Sequence, residues 1–171
     1  MSKSIGIIDS GLGGYTLYHG LRAKYPKKSF TLIVDQANAP FGDKTKDELL
    51  EIGKKLLTRM SDLNIETVLI GCNTLSASVY RELVEAFPHL NLINIIDLTI
   101  QEVSPEVNRV LVIATTTTIN QKAYSSALTK HAKNAWINEL ATPKLVRLIE
   151  GLADDKDVDE ILGEYLEGKT N

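Results

Sequence analysis

The chain has 171 residues, of which 43% are hydrophobic and 24% are charged, as expected for a globular protein with one α/β domain, or one domain and part of another. A formal net charge of −3, without a stripe of basic residues between aromatic ones, argues against nucleic acid as a partner. The only cysteine excludes an internal disulfide and a multi-thiolate metal site. Neither a membrane span nor a signal peptide is recognisable, so we expect a cytoplasmic protein without a membrane partner.

The first half of the chain alternates between apolar strands and amphipathic helices. A glycine-rich turn at residues 10–14 follows the first strand, and Pro26 ends the first helix. Apolar residues recur in steps of three and four along the second helix and mark its buried face: Leu49, Ile52, Leu56, Met60 and Leu63. Thr74 is expected to cap the third helix. The predicted order is strand 5–9, helix 15–25, strand 30–35, helix 45–63, strand 67–71, helix 75–87 and strand 92–96.

The second half continues the alternation after a short helical passage. Its first strand ends in four consecutive threonines, residues 115–118. The predicted elements are strand 109–114, helix 120–131, strand 135–139 and helices 143–152 and 158–166. Such alternation is typical of α/β proteins with right-handed βαβ units and a doubly wound parallel sheet. The connection lengthens near Asp97, so we expect a first α/β lobe at residues 1–96 and a partial second α/β lobe at residues 97–171.

Sheets of this kind bind ligands outside the carboxyl ends of their strands. Four segments are predicted to place reactive or hydrogen-bonding groups at that edge. Three of the four segments precede helices, whose free backbone N–H groups favour a small anion such as a carboxylate. The segments are Asp9-Ser10, Pro40-Phe41-Gly42, Cys72-Asn73-Thr74 and Thr115–Thr118. The sequence therefore predicts a site for a small carboxylic acid.

Cys72 and Asp9 are the candidates for chemistry at this edge. A thiol just before a helix N-terminus should ionise more easily than a free cysteine. A nearby carboxylate opposes this ionisation, yet in a dry site it could accept or orient the thiol proton. Nucleophilic hydrolysis usually needs a histidine partner, but the three histidines lie within or at the ends of predicted helices: His19, His89 and His131. Base chemistry at a carbon acid is therefore the better interpretation.

Other interpretations remain open at this point. A lone cysteine is more often a small buried hydrophobic residue than a catalyst, and Asp9 could cap a turn. A dinucleotide site is a sharper rival, because Gly11-x-Gly13-Gly14 follows the first strand and Asp35 ends the second. The third glycine of that motif would fall on Thr16, which argues against it.

Four motifs resemble, in order and spacing, those of glutamate racemase in the cofactor-independent aspartate/glutamate racemase family. They are Gly-Ile-Ile-Asp-Ser-Gly-Leu-Gly-Gly (6–14), Pro-Phe-Gly-Asp-Lys (40–44), Cys-Asn-Thr-Leu-Ser-Ala (72–77) and Ala-Thr-Thr-Thr-Thr-Ile (114–119). The resemblance covers essentially the whole chain. Four ordered motifs are more specific than any one of them.

The resemblance implies an isomerase that makes D-glutamate for peptidoglycan in the cell wall. In the family, two α/β lobes enclose the amino acid and each supplies one cysteine for proton transfer. By matched motif, Cys72 would be one acid/base and Asp9 its assisting carboxylate. The remaining matched positions would bind the carboxylates and amine of the substrate: Asp9, Ser10, Phe41, Gly42, Asn73, Thr74, Thr115 and Thr118. The family implies no cofactor and no metal.

Two features depart from the family pattern. Position 41 is Phe where the family usually has Tyr, which removes a hydroxyl group but leaves the backbone contact of Gly42. The second motif of the family, Gly-Cys-Thr-His, has no counterpart in these residues. Four hypotheses stay open: a truncated racemase with little or no turnover, a homodimer in which two Cys72 residues face each other, a one-cysteine lyase, and a non-catalytic amino-acid-binding or interaction protein. Glutamate and aspartate both remain candidate substrates.

Overall fold

A four-stranded parallel sheet forms the first part of the computed structural model, which describes residues 4–151 and 158–167. The strand order is β2-β1-β3-β4, so β1 has a neighbour at each edge. Ile7 and Ile8 are fully buried, as expected for an apolar run in a central parallel strand. The strands are β1 (Ile5–Asp9), β2 (Phe30–Val34), β3 (Thr67–Ile70) and β4 (Asn91–Asn94).

Helices cover both faces of this sheet; they are α1 (Leu12–Lys24), α2 (Lys46–Asp62) and α3 (Asn73–Ala86). Gly6 lies against α2, since a Cβ added there would be 2.8 Å from Met60 Sδ. Asp9 lies against α1, since a Cβ on Gly14 would be 2.7 Å from Asp9 Cβ. Residues 6 and 9 point to opposite faces of β1, so α1 and α2 cover opposite faces. The predicted doubly wound α/β fold is confirmed.

The sequence of α2 explains why it packs where it does. Thr45 and Glu48 form a reciprocal capping box that satisfies free N–H groups at the first turn. The predicted apolar face is buried, with Leu49 and Met60 fully inaccessible to solvent. Leu63 departs from the prediction: it follows the last helical turn and is 44% exposed.

Two helix starts differ from their predictions. Helix α1 begins at Leu12, three residues early, and takes Gly13 and Gly14 of the glycine-rich turn into its first turn. Helix α3 begins at Asn73 with Cys72 in the N-cap position and no side-chain cap. The prediction that Thr74 caps this helix is wrong, because its hydroxyl lies 3.0 Å from the hydroxyl of Thr115 instead.

The second sheet pairs two parallel strands, β5 (Arg109–Ala114) and β6 (Trp136–Ala141), in continuous register. One face packs on a small apolar cluster built around Ile96, Ile100, Val112 and Leu128. The helices of this part are α4 (Ile95–Glu102), α5 (Thr116–Asn120), α6 (Ala123–His131), α7 (Pro143–Ile149) and α8 (Val158–Leu166). The division of the chain at residues 96 and 97 stays a prediction.

The boundaries of β5 and α8 match their predictions, whereas the threonine run folds differently. Thr115 caps α5, so most of the run is helical. The predicted helix 120–131 is interrupted at Lys122, whose φ of 55° breaks the chain into α5 and α6. Helix α7 ends at Ile149, and the predicted end at Leu152 lies outside the described residues. Within residues 4–151 and 158–167, no helix combines the length and the apolar character needed to cross a membrane.

Candidate active site

The ends of two neighbouring strands bring Asp9 and Cys72 together. β1 ends at Asp9, and β3 pairs with β1 and leads through Gly71 to Cys72. A Cβ added to Gly71 would be 3.0 Å from Asp9 Oδ2, so the carboxylate passes close to the backbone beside the cysteine. The predicted meeting of thiol and carboxylate at one edge of the sheet is therefore present in the structure.

A hydrogen-bond chain links the two groups through Ser10. The Cys72 thiol donates to Ser10 Oγ at 3.4 Å, and the Ser10 hydroxyl donates to Asp9 Oδ1 at 3.5 Å. The same carboxylate oxygen accepts from the backbone N–H of Gly11 at 3.1 Å. These contacts form a path by which a proton can move between sulfur and carboxylate.

Burial and charge together keep the thiol protonated. Burial, and then the negative charge of Asp9, raise the pKa of Cys72 to about 11, and the hydrogen bonds with Ser10 and with the backbone of α3 only partly oppose this. The expectation that Cys72 ionises more easily than a free cysteine is therefore wrong, because the thiol is buried. Burial also raises the pKa of Asp9, with a smaller contribution from the charge of Glu150.

Cys72 lies at a border between the apolar core and the polar site. It is 5% exposed and belongs to the same apolar cluster as Ile70 and Leu75, yet its sulfur contacts a serine hydroxyl. Asp9 is 6% exposed. Among the described residues, no lysine, arginine or histidine contributes to the shifted pKa of either group.

Threonines at the start of α5 contact α3 and the Gly42 backbone across the site. Thr74 Oγ1 lies 3.0 Å from Thr115 Oγ1 and 3.5 Å from Thr118 Oγ1. Thr117 Oγ1 donates to the carbonyl oxygen of Gly42 at 2.6 Å. Three predicted residues, Thr74, Thr115 and Thr118, are thus joined by their hydroxyl groups, and the predicted Gly42 contacts Thr117 through its carbonyl oxygen.

Asn73 and Phe41 occupy different environments although both are predicted substrate-binding residues. Asn73 is exposed, and its Oδ1 accepts a hydrogen bond from the Tyr124 hydroxyl at 2.6 Å. Asn73, Thr115 and Tyr124 line a cavity of about 440 Å³ that runs along β5. Phe41 is 2% exposed and packs in the core, so only its backbone is near the site.

Sequence reasoning missed Glu150, which follows the last turn of α7. Its carboxylate accepts from the backbone N–H of Leu12 at 3.1 and 3.2 Å, at the start of α1. A side chain at Gly11 would collide with that carboxylate, with a Cβ only 2.1 Å from Oε1. Glu150 is 138 positions from Leu12, so no local pattern in the sequence points to the contact.

The same contact argues against the dinucleotide alternative. Glu150 occupies the N-terminus of α1, where a pyrophosphate would bind. Asp35, the proposed ribose ligand, accepts hydrogen bonds from the backbone and side chain of Asn38 within its own turn. The histidines lie elsewhere, as predicted: His89 bonds Ser61, and His131 bonds the carbonyl of Val103.

Comparisons with known proteins point to one family. The chain is 32% identical to glutamate racemase from Oceanobacillus iheyensis over 174 aligned positions, which span 100% of this chain and 63% of that protein. It is 34% identical to glutamate racemase from Carboxydothermus hydrogenoformans, over 97% of this chain and 62% of the relative. No protein-family model matches the chain.

A solved structure agrees with these relatives. The crystal structure of glutamate racemase from Francisella tularensis in complex with D-glutamate matches with a TM-score of 0.89 and 27% identity, over 99% of this chain and 65% of that one. This chain thus spans about three fifths of the length of the relatives that it matches. On the evidence of sequence and fold together, the chain belongs to the glutamate racemase family.

Proposed function

We propose that the chain forms the amino-acid site of a glutamate racemase-type isomerase, which interconverts L- and D-glutamate without a cofactor. The observation that carries this proposal is the hydrogen-bond chain from the Cys72 thiol through Ser10 to the Asp9 carboxylate. It lies at the strand ends where α/β sheets bind ligands. The activity named for the relatives supports the same conclusion. In a cell, the product would supply D-glutamate to peptidoglycan synthesis in the cytoplasm.

The polar groups around Cys72 complement an amino acid with two carboxylates. The first backbone N–H groups of α3 and the nearby hydroxyl groups are donors for carboxylate oxygens. Asp9, with Glu150 close enough to affect its pKa, favours the ammonium group. We assign carboxylate binding to Ser10, the backbone at Phe41 and Gly42, Asn73, Thr74, Thr115 and Thr118. D-glutamate is the ligand of the Francisella relative, which favours glutamate over aspartate.

In the proposed chemistry, the substrate itself prepares the thiol. Its ammonium group offsets the negative charge that helps to raise the pKa of Cys72, so that the thiol proton can pass through Ser10 to Asp9. The thiolate then takes the α-proton: the Cα–H bond breaks, an S–H bond forms, and the electron pair moves into the α-carboxylate. Return of a proton to the opposite face inverts the centre.

None of the site residues is assigned to protonate the opposite face of the substrate. The chain holds one cysteine, which favours two alternatives: a one-cysteine lyase, or a protein that binds the amino acid without turnover. In a homodimer, Cys72 of a second copy could serve the opposite face across a two-fold axis. Mixing wild-type and Cys72→Ser subunits tests the dimer, because mixed pairs should then lose racemisation.

Exchange of the α-proton with solvent deuterium tests the proposal. Wild-type protein should bind glutamate and introduce deuterium into L- and D-glutamate, and Cys72→Ala should reduce exchange by about 10²- to 10⁴-fold, the usual contribution of a general acid or base. Label in one enantiomer without inversion would favour the lyase, and binding without exchange would favour the binding protein. If neither enantiomer binds, the proposed function is wrong.

A further inference from the structure

Tyr124 joins the second sheet region to the beginning of α3. It is the second residue of α6, is half-buried, and donates its hydroxyl proton to Asn73 Oδ1 over 2.6 Å. That distance lies in the normal range for an O–H···O hydrogen bond. Asn73 directly follows Cys72, so the tyrosine reaches within one residue of the thiol from a different part of the fold.

The direction of this hydrogen bond determines what the asparagine can offer to a ligand. A side-chain amide presents an acceptor oxygen and a donor nitrogen on opposite sides. The phenol occupies the oxygen of Asn73, and Nδ2 has no hydrogen-bond partner among the residues that the structure describes. A free neutral donor at the start of a helix is suited to a carboxylate oxygen.

Tyr124 remains a donor across the pH range of ordinary assays. Burial raises its pKa, and a hydrogen bond with Thr99 opposes this only in part. Tyr124, Asn73 and Thr115 also line the same cavity along β5. This cavity adjoins the candidate site through Asn73, which follows Cys72, and through Thr115, which bonds to Thr74.

We infer that Tyr124 is a positioning residue that holds the Asn73 amide with its nitrogen available to a substrate carboxylate. This inference rests on the proposed function, because it requires an amino-acid ligand at the site. Tyr124 itself does not touch the substrate in this account. Its hydroxyl acts only through Asn73.

The competing explanation is that the hydrogen bond between Tyr124 and Asn73 only stabilises the contact between the two sheet regions. Hydrogen bonds from Thr74 to Thr115 and from Thr117 to Gly42 already join these regions. Loss of a purely stabilising hydrogen bond lowers the free energy of unfolding but leaves the affinity of the folded protein for glutamate unchanged. If Tyr124 positions Asn73, its loss should instead weaken the affinity for glutamate, and this effect should require Asn73.

A double-mutant cycle on glutamate binding separates the two explanations. Tyr124→Phe removes the hydroxyl and keeps the ring, and should weaken binding of L- and D-glutamate about threefold to tenfold, as expected for one neutral hydrogen bond. Asn73→Ala should weaken binding at least as much. The double variant should bind no more weakly than Asn73→Ala alone, because the tyrosine acts through the asparagine. In the exchange assay, Tyr124→Phe should raise KM and leave kcat nearly unchanged.

Tyr80→Phe is the matched control. Its hydroxyl donates to the carbonyl of Leu92 at 2.9 Å and lies outside the cavity along β5. This variant should bind glutamate as the wild type does. Unchanged affinity in Tyr124→Phe, or losses that multiply in the double variant, would overturn the assignment of Tyr124 alone. A wild-type protein that binds neither enantiomer would overturn the proposed function and, with it, this inference.

Discussion

The two parallel sheets differ in how completely they are covered. In the first sheet, β1 has strands on both edges and helices on both faces, and Ile7 and Ile8 are fully buried. In the second sheet, within the described residues, β5 pairs with β6 alone, and Leu111 and Ile113 are 37% and 45% exposed. The comparison shows that the strands of the first sheet are more completely buried than those of the second.

The two regions contribute different kinds of groups to the candidate site. The thiol and carboxylate come from the well-buried first sheet, where burial can raise the pKa of both groups. Helix α5, which follows β5 of the less buried second sheet, contributes threonine hydroxyl groups, whose hydrogen bonds need no unusual pKa. These hydroxyl groups bond to Thr74 of α3 and to the carbonyl of Gly42, so they join the two regions at the site.

The largest expected effect tests the difference in burial with a matched pair of leucines. Leu57→Ala, fully buried in the first core, should lower the free energy of unfolding by about 2–5 kcal/mol through loss of apolar contacts and formation of a cavity. Leu111→Ala, 37% exposed on β5, should lower it by about 1 kcal/mol or less. Urea denaturation measures both. Equal losses would mean that the two sheets are equally well packed.

A second test breaks the contact between the two regions. In Gly42→Ala, the new Cβ would lie 3.0 Å from Thr115 Cβ, so Thr115 must move by a few tenths of an ångström, at an expected cost of about 1 kcal/mol. Gly20→Ala is the control, because nothing lies within 4 Å of that position in α1 and alanine favours a helix by up to about 1 kcal/mol. The free energies of unfolding should therefore move in opposite directions. If both variants are equally stable, the close approach of Gly42 and Thr115 is wrong.

A third test uses the pH dependence of stability, for which only a direction is predicted. The folded-state pKa of Asp9 is raised above its ordinary value of 3.8, so above that pH the folded protein binds more protons than the unfolded chain. The contribution of Asp9 to the free energy of unfolding should therefore fall as pH rises from 3.8 through its folded-state pKa.

Asp9→Asn removes this ionisation and should be more stable than wild type at neutral pH. The advantage should shrink as pH falls below the ordinary pKa of aspartate. Urea denaturation across this range is the measurement, and Asp35→Asn, which changes an exposed turn, is the control. A variant that is less stable than wild type at neutral pH would show that Asp9 is stabilised in its charged form.

The sequence was sufficient where structure depends on local patterns or on strand order. Apolar runs predicted β1 and β5, and the spacing of α2 predicted its buried face. The meeting of Asp9 and Cys72 followed from parallel strands, whose carboxyl ends share an edge. These are properties of short segments and of the alternation of strands and helices.

The sequence was insufficient where a distant residue decides the outcome. Thr74 was expected to cap its own helix, but it faces Thr115, 41 positions away. The side chain of Phe41 packs in the core. The Glu150 carboxylate bonds to Leu12, 138 positions away, and the Tyr124 hydroxyl bonds to Asn73, 51 positions away. The pKa of Cys72 also differs from the prediction, because burial raises it by more than the helix N-terminus lowers it.

Titration of the Cys72 thiol tests the central claim most directly, since the chain has no other cysteine and the difference from Cys72→Ser removes the absorbance of its six tyrosines. Thiolate absorbance should rise with a pKa of about 11 in the wild type, with circular dichroism used to verify that the protein stays folded. Asp9→Asn should lower that pKa, because it removes a neighbouring negative charge. A thiol that titrates like a free cysteine in folded protein, with the same pKa in both variants, would contradict the account.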